Sequence, residues 1–189
     1  MDHNIAPDQM KENCLSSDFL FEGKMLRIFN DTVSIPGGGT ATREYIRHRG
    51  AVAIVPVTED GFVYLERQYR YPIDTVTVEI PAGKLEASDD DRLEAAKREL
   101  REETGLLAEH WEFIGDYFPT PAYSDERISM YLASGLTKGE QEPDFDEFLS
   151  VERVPLLDAV SDVLAGRITD GKTQAALLKA ALLINLNKR

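Results

Sequence analysis

The spacing of apolar and polar positions predicts strands through the first half of the chain and helices mainly in the second. From Phe19 to Ile46 the pattern predicts short strands, broken at Pro36-Gly37-Gly38-Gly39 by a wide, flexible turn. Residues 51–58, AVAIVPVT, form a continuous apolar run of the kind a buried strand shows. Glu59-Asp60-Gly61 supplies a hairpin turn, and residues 62–70, FVYLERQYR, are expected to return as the partner of that strand. TVTVEI (75–80) alternates as a half-buried strand does. From about Asp91 to Thr104, Leu93, Ala96 and Leu100 recur at helical spacing, with Ser88 and Asp89 to Asp91 as candidate N-caps and Gly105 as the stop. FIGDYF (113–118) and RISMYLAS (127–134) read as strands around the proline-rich loop 118–126. A strand near 148–154 and helices near 155–165 and 172–187 complete the pattern. Residues 1–17 are polar and aperiodic and read as a flexible tail.

No internal repeat and no linker-like stretch interrupts this order, and 189 residues suit one domain of α/β class. Composition narrows the partners. The formal net charge is −13, so extended nucleic acid and anionic membrane surfaces are not expected to bind. A small polyanion can bind only if something cationic mediates. The single cysteine, Cys14, excludes an internal disulfide framework and a multi-cysteine zinc site. The first residues lack the basic and apolar stretches of a secretory signal, and no apolar run approaches the roughly 18 residues of a membrane span. A cytoplasmic location is the expectation.

The chemistry concentrates in residues 98–106, RELREETGL. Glu99, Glu102 and Glu103 share one arc of the expected helix, although like charges at such spacings cost roughly 0.2–0.5 kcal/mol per pair. On the helix alone, this reads as a solvated polar face. The upstream loop changes that reading. Gly83 follows Pro81-Ala82 directly after a strand, where a backbone carbonyl can turn toward the acids. Carboxylates plus a carbonyl, with waters completing the shell, are what hard divalent cations require.

The stretch from Gly83 to Leu106, GKLEASDDDRLEAAKRELREETGL, resembles the Nudix box, G-x5-E-x7-R-E-U-x-E-E-x-G-U with U apolar. Its second half matches at Arg98, Glu99, Leu100, Glu102, Glu103, Gly105 and Leu106. Its first half departs: counting back from Arg98, Asp90 stands where the family has its first glutamate, with six residues rather than five between it and Gly83. The loop thus carries a one-residue insertion. The resemblance implies a Nudix fold, an α/β/α sandwich around a mixed sheet, with residues 49–189 as the hydrolase domain. It also implies Mg²⁺, with Mn²⁺ as the alternative, held over a pyrophosphate. Glu99 and Glu103 would be metal ligands, Glu102 a ligand or its supporting partner with a catalytic part, and the carbonyl of Ala82 a further ligand. Arg98 would orient a glutamate rather than touch substrate.

Flanking features are similar to the ADP-ribose pyrophosphatase branch. Pro121 follows Leu106 by 15 residues. The stretch ERQYRYPIDTVTVEIPAG resembles that branch's approach to the box, which would make Arg70 a phosphate grip and Glu79 a support for site or substrate. Residues 18–48, including TREYIRHRG with Arg43 as a substrate contact, resemble a small N-terminal antiparallel sheet that joins two subunits, so a homodimer is expected. In the loop PDFDEFLSV, Glu147 best fits the general base that this branch places after the proline loop, with Asp146 second; Glu126 would contact substrate ribose or base. The implied reaction is hydrolysis of ADP-ribose to AMP and ribose 5-phosphate. Other nucleoside diphosphate sugars, such as GDP-mannose or ADP-sugars, are the near alternative. A sensor that binds ADP-ribose without cleaving it is the distant one, against which the intact glutamate set speaks.

Overall fold

Every residue of strand β4 (Ala51–Pro56) is buried, and this strand sets the layering of the larger part of the chain. The computed structural model describes residues 6–142, 145 and 148–187. They fall into two units, residues 1–48 with 120–126, and residues 49–119 with 127–189.

In the first unit β1 (Asn13–Glu22), β2 (Arg27–Ser34) and β3 (Thr40–Arg47) form an antiparallel sheet in that order. The glycine turn joins β2 to β3, and Gly37, Gly38 and Gly39 all take positive φ (85°, 96° and 95°), which a side chain would oppose. The expected tail is shorter than its polar composition suggested. Cys14 already pairs with Val33 and Ser17 with Asp31. Both faces of β1 are exposed, although Phe19 meets Phe29 of β2 with ring centroids 5.4 Å apart.

In the second unit β4 lies inside a mixed sheet of order β7-β4-β9-β8, with β7 at Ala82–Lys84, β8 at Leu106–Tyr117 and β9 at Ile128–Lys138. It runs parallel to β9 (Ile54 opposite Tyr131) and antiparallel to β7 (Val52 opposite Gly83). The expected β4–β5 hairpin does not form. Strand β5 (Phe62–Arg70) instead joins a second sheet of order β10-β5-β6, with β6 at Thr75–Glu79 and β10 at Leu149–Pro155. A lone bridge between Val57 and Val63 remains. Both edges of β4 are already taken by β7 and β9, so the chain after the turn must pair elsewhere.

Helix α1 (Arg92–Thr104) covers one face of β4, and α2 (Leu156–Leu164) with α3 (Gly171–Asn187) covers the other. Val52 and Ile54 pack with Ala95, Ala96 and Leu100 of α1. Ala51, Ala53 and Val55 share a cluster with Leu156 and Ala159 of α2 and Ala176, Leu177 and Ala180 of α3. This is the expected α/β/α sandwich, read from a strand whose odd and even residues serve two cores. Full burial of a side chain such as Leu100 or Leu177 contributes roughly 1.5–3 kcal/mol. No helix among the described residues is long and apolar enough to cross a membrane.

Candidate active site

Helix α1 is fixed at both ends. Asp91 caps it by accepting from the Leu93 N–H at 2.7 Å, and Gly105 closes it in the left-handed region at φ 68°. Between these caps Glu99 and Glu103 stand on the buried side, 8 % and 4 % exposed. Gly83 of β7 makes room for them: a Cβ there would lie 1.9 Å from the Glu99 carboxyl carbon. The Ala82 N–H donates to Glu103 at 2.9 Å.

Arg98 offsets the remaining charge. Its guanidinium is 2.9 Å from Glu99, 2.8 Å from Glu102 and 3.1 Å from Asp89. Burial opposes its charge, but the three carboxylates outweigh that and raise its pKa, so it stays protonated. Arg98 thus orients glutamates, as its place in the motif implied. The same contact shows which acid of the loop faces the helix. Asp89, not Asp90, reaches Arg98; its carboxylate also accepts from the Glu86 N–H at 2.7 Å, while Asp90 is exposed.

As placed, no group of three or more His, Cys, Asp or Glu side chains among the described residues is gathered closely enough to hold a cation unaided. Glu99 and Glu102 face Arg98, and Glu103 faces Ala82. The donors nonetheless fit a hard divalent ion. They are all oxygens, the side chain missing at Gly83 keeps the carboxylates close to the loop, and such ions retain waters and take substrate oxygens.

Beside this helix, Arg70 and Glu79 form a bidentate pair, both bonds 2.7 Å. Thr77 adds a bond to Glu79 at 2.6 Å, and Lys172 at the start of α3 contacts the other carboxylate oxygen. Burial pushes the Glu79 carboxyl up, but Arg70, Lys172 and Thr77 together outweigh it and bring its pKa to about 2. The charge of Glu103 also acts on Arg70, so the pair and the acidic helix belong to one field. A cavity of about 410 Å³ opens over Arg70, Thr77, Glu79, Asp170 and Lys172. The sequence reading missed Lys172, which lies 93 residues from Glu79 with no motif to link them. It also missed Gln141, whose side-chain amide donates to the Glu103 carbonyl at 2.5 Å and ties the segment before the acidic loop to α1.

Arg43 and Glu126 belong to the first unit. Arg43 is held by Glu12, and Glu126 lies 3.7 Å from His48. Phe29 is buried in the first unit, stacked on Tyr45 with centroids 5.8 Å apart. The two acids expected to supply the base, Asp146 and Glu147, lie outside the described residues.

Comparison with known proteins agrees with this geometry. The NUDIX domain matches residues 47–177. The chain is 38 % identical over 169 residues to a methanol dehydrogenase activator of Bacillus methanolicus, covering 88 % of this chain and 91 % of the relative. It is 36 % identical over 179 residues to an ADP-ribose pyrophosphatase of Bacillus subtilis, covering 92 % and 96 %. A crystal structure of an ADP compounds hydrolase superposes with a TM-score of 0.83 at 23 % identity, over 94 % of this chain and 96 % of that one, and bears on the fold.

Proposed function

The chain belongs to the Nudix family, and from that premise we propose that it hydrolyses the pyrophosphate bond of ADP-ribose to AMP and ribose 5-phosphate. The observation that carries this reading is the joined set of Glu99, Glu102 and Glu103 on α1, with Arg98 and the Ala82–Gly83 strand against them. The relatives' coverage supports the substrate. The activator from Bacillus methanolicus is named for its effect on another enzyme and the Bacillus subtilis relative for a reaction; the intact glutamate set favours the reaction.

Glu99 and Glu103 are the proposed ligands of divalent cations, with Glu102 and the carbonyl of Ala82 completing the protein's share. Magnesium is the proposed ion and manganese the alternative. Such ions, when bound, neutralise the carboxylates, polarise phosphoryl oxygens and lower the pKa of water. The chain's own residues do the rest. Arg98 holds Glu99 and Glu102 in place through its ion pairs. Arg70, half exposed at the cavity mouth, grips a phosphate while Glu79 holds its orientation. Glu147, or Asp146 in its place, accepts the proton of the attacking water, and water adds across the P–O–P bond without a covalent enzyme intermediate. Arg43 and Glu126 are the proposed contacts to the rest of the substrate.

The proposed working form is a cytoplasmic homodimer joined through the N-terminal sheet. Leu15, Phe19, Leu20 and Phe21 of β1 are each more than half exposed, which an isolated edge strand rarely tolerates.

A panel of ADP-ribose, GDP-mannose, ADP-glucose, UDP-glucose, NADH and ATP with Mg²⁺ tests the substrate. ADP-ribose is expected to be cleaved with the highest kcat/KM. Comparable turnover of several nucleoside diphosphate sugars would replace the reading with a broader pyrophosphatase, and binding without cleavage would replace it with a sensor.

A further inference from the structure

Lys172 and Arg70 reach the same carboxylate, and they differ in exposure. The Lys172 side chain is 11 % exposed and that of Arg70 is 42 %, while Glu79 between them is 5 %. Lys172 is held in place by its own helix. Asp170 accepts from the Thr173 N–H at 2.9 Å and from Lys172 at 3.1 Å, and so caps α3 while drawing the ammonium group inward. The Thr173 hydroxyl donates to Asp170 at 2.6 Å and accepts from the Ile80 N–H at 3.0 Å. Ile80 is the residue after Glu79 and lies two before Ala82, whose N–H meets Glu103.

The charges lining this cavity are Arg70 and Lys172 against Glu79 and Asp170, so they balance. Without Lys172 the lining would carry one net negative charge, in a chain whose formal charge is already −13. Arg70 would then be the sole cation answering Glu79, and a diphosphate would have to compete with a buried carboxylate for it. With Lys172 present, Glu79 is satisfied from its buried side, and the exposed guanidinium can share its charge with an anion at the mouth.

We infer that Lys172 is a positioning residue for phosphate binding, which satisfies Glu79 so that Arg70 is left to hold the diphosphate of the substrate. Lys172 itself is too buried to be the grip. The inference rests on the reading of the site given above, and it adds a residue to which neither sequence motif nor comparison assigns a role.

The test uses the full chain with K172M, K172R and the double variant K172M/E79Q. ADP-ribose kinetics with Mg²⁺ are paired with calorimetric titration of ADP-ribose in EDTA, and folding is followed by thermal melting. K172M is expected to raise KM and the metal-free Kd about tenfold, with kcat changed less than about threefold, as removal of one nearby charge implies. K172R should stay close to wild type, and K172M/E79Q should return toward it, because removing Glu79 frees Arg70 again. A purely structural lysine would lower the melting temperature and leave KM and Kd alone, which would overturn the inference. So would a kcat loss at constant KM, or failure of the double variant to recover affinity. If K172M does not fold, K172Q takes its place, alone and with E79Q: unchanged KM and Kd in K172Q would overturn the inference, and weakened binding that E79Q restores would support it. A wild type that binds ADP-ribose but does not cleave it overturns the hydrolase reading while the titration still decides the role of Lys172; a wild type without measurable metal-free affinity overturns the role.

Discussion

The backbone N–H of Ala82 donates to the carboxylate of Glu103 across 2.9 Å, joining the strand β7 to the helix α1. One bond thus sets the distance between a loop and a row of acids that are 21 residues apart in sequence. Gly83, next in the chain, sets the same distance by what it lacks.

Substitution at Gly83 separates activity from stability. In Gly83→Ala the new Cβ would fall 1.9 Å from the Glu99 carboxyl carbon. That carbon is the end of a flexible side chain, so Glu99 can swing away, at a cost to folding of about 1–3 kcal/mol. Displacing Glu99, a proposed ligand, is expected to lower kcat about 100-fold. Thermal melting and ADP-ribose turnover on the same preparation check both halves.

Arg98 supplies the positive charge that Glu99, Glu102 and Asp89 share. Arg98→Gln should therefore destabilise the metal-free protein by about 1–3 kcal/mol, since carboxylates lose their partner. Added Mg²⁺ or Mn²⁺ replaces part of that charge, so the melting temperature should rise more in the variant than in wild type. Melting curves with EDTA and with each metal give the comparison; an equal metal-induced rise in both proteins would contradict the placement of the cation at these acids.

Glu79 ties stability to pH. Its folded pKa of about 2 lies below its ordinary value of 4.5. The ionised form is therefore the one that stabilises the fold. Its contribution is complete above about pH 5 and is lost as pH falls through about 4.5 toward 2. A shift of this size corresponds to about 3 kcal/mol at neutral pH. Urea unfolding of wild type and Glu79→Gln at several pH values should show a gap that narrows across that window; a gap that stays constant down to pH 2 would contradict the ion-pair assignment.

The apolar positions of β1 make the N-terminal sheet testable. Leu20→Asp places a charge on a strand whose every residue is exposed in the single chain. Sedimentation should show wild type as a pair of chains and the variant shifted toward one, with the fold kept. A wild type that sediments as a single chain at all concentrations would remove the dimer.

The sequence made the acidic helix legible because motif, cap and glycine stop all act within 24 residues, Gly83 to Leu106. Gly105 and Asp91 do what their chemistry predicts there. Long-range pairing was less legible. The apolar run of β4 announced burial but not its neighbours, since a strand buried on both faces can pair with any strand, and β9 rather than β5 took its edge. Arg70 and Glu79 could be paired from nine residues' separation across a turn. Lys172 could not, because only the packing of α3 against β6 brings it there. Asp89 rather than Asp90 meets Arg98, a contact that counting along the motif did not single out.

The most direct test of the central claim is product analysis of ADP-ribose incubated with the purified protein, with Mg²⁺ or with EDTA, for wild type and Glu103→Gln. The expected result is AMP and ribose 5-phosphate in equal amounts from wild type with Mg²⁺. None should form in EDTA, and turnover of the variant should fall about 100-fold or more with its melting temperature close to wild type. Equal product from wild type and variant, or cleavage that survives EDTA, would contradict the assignment of the reaction to the acids of α1.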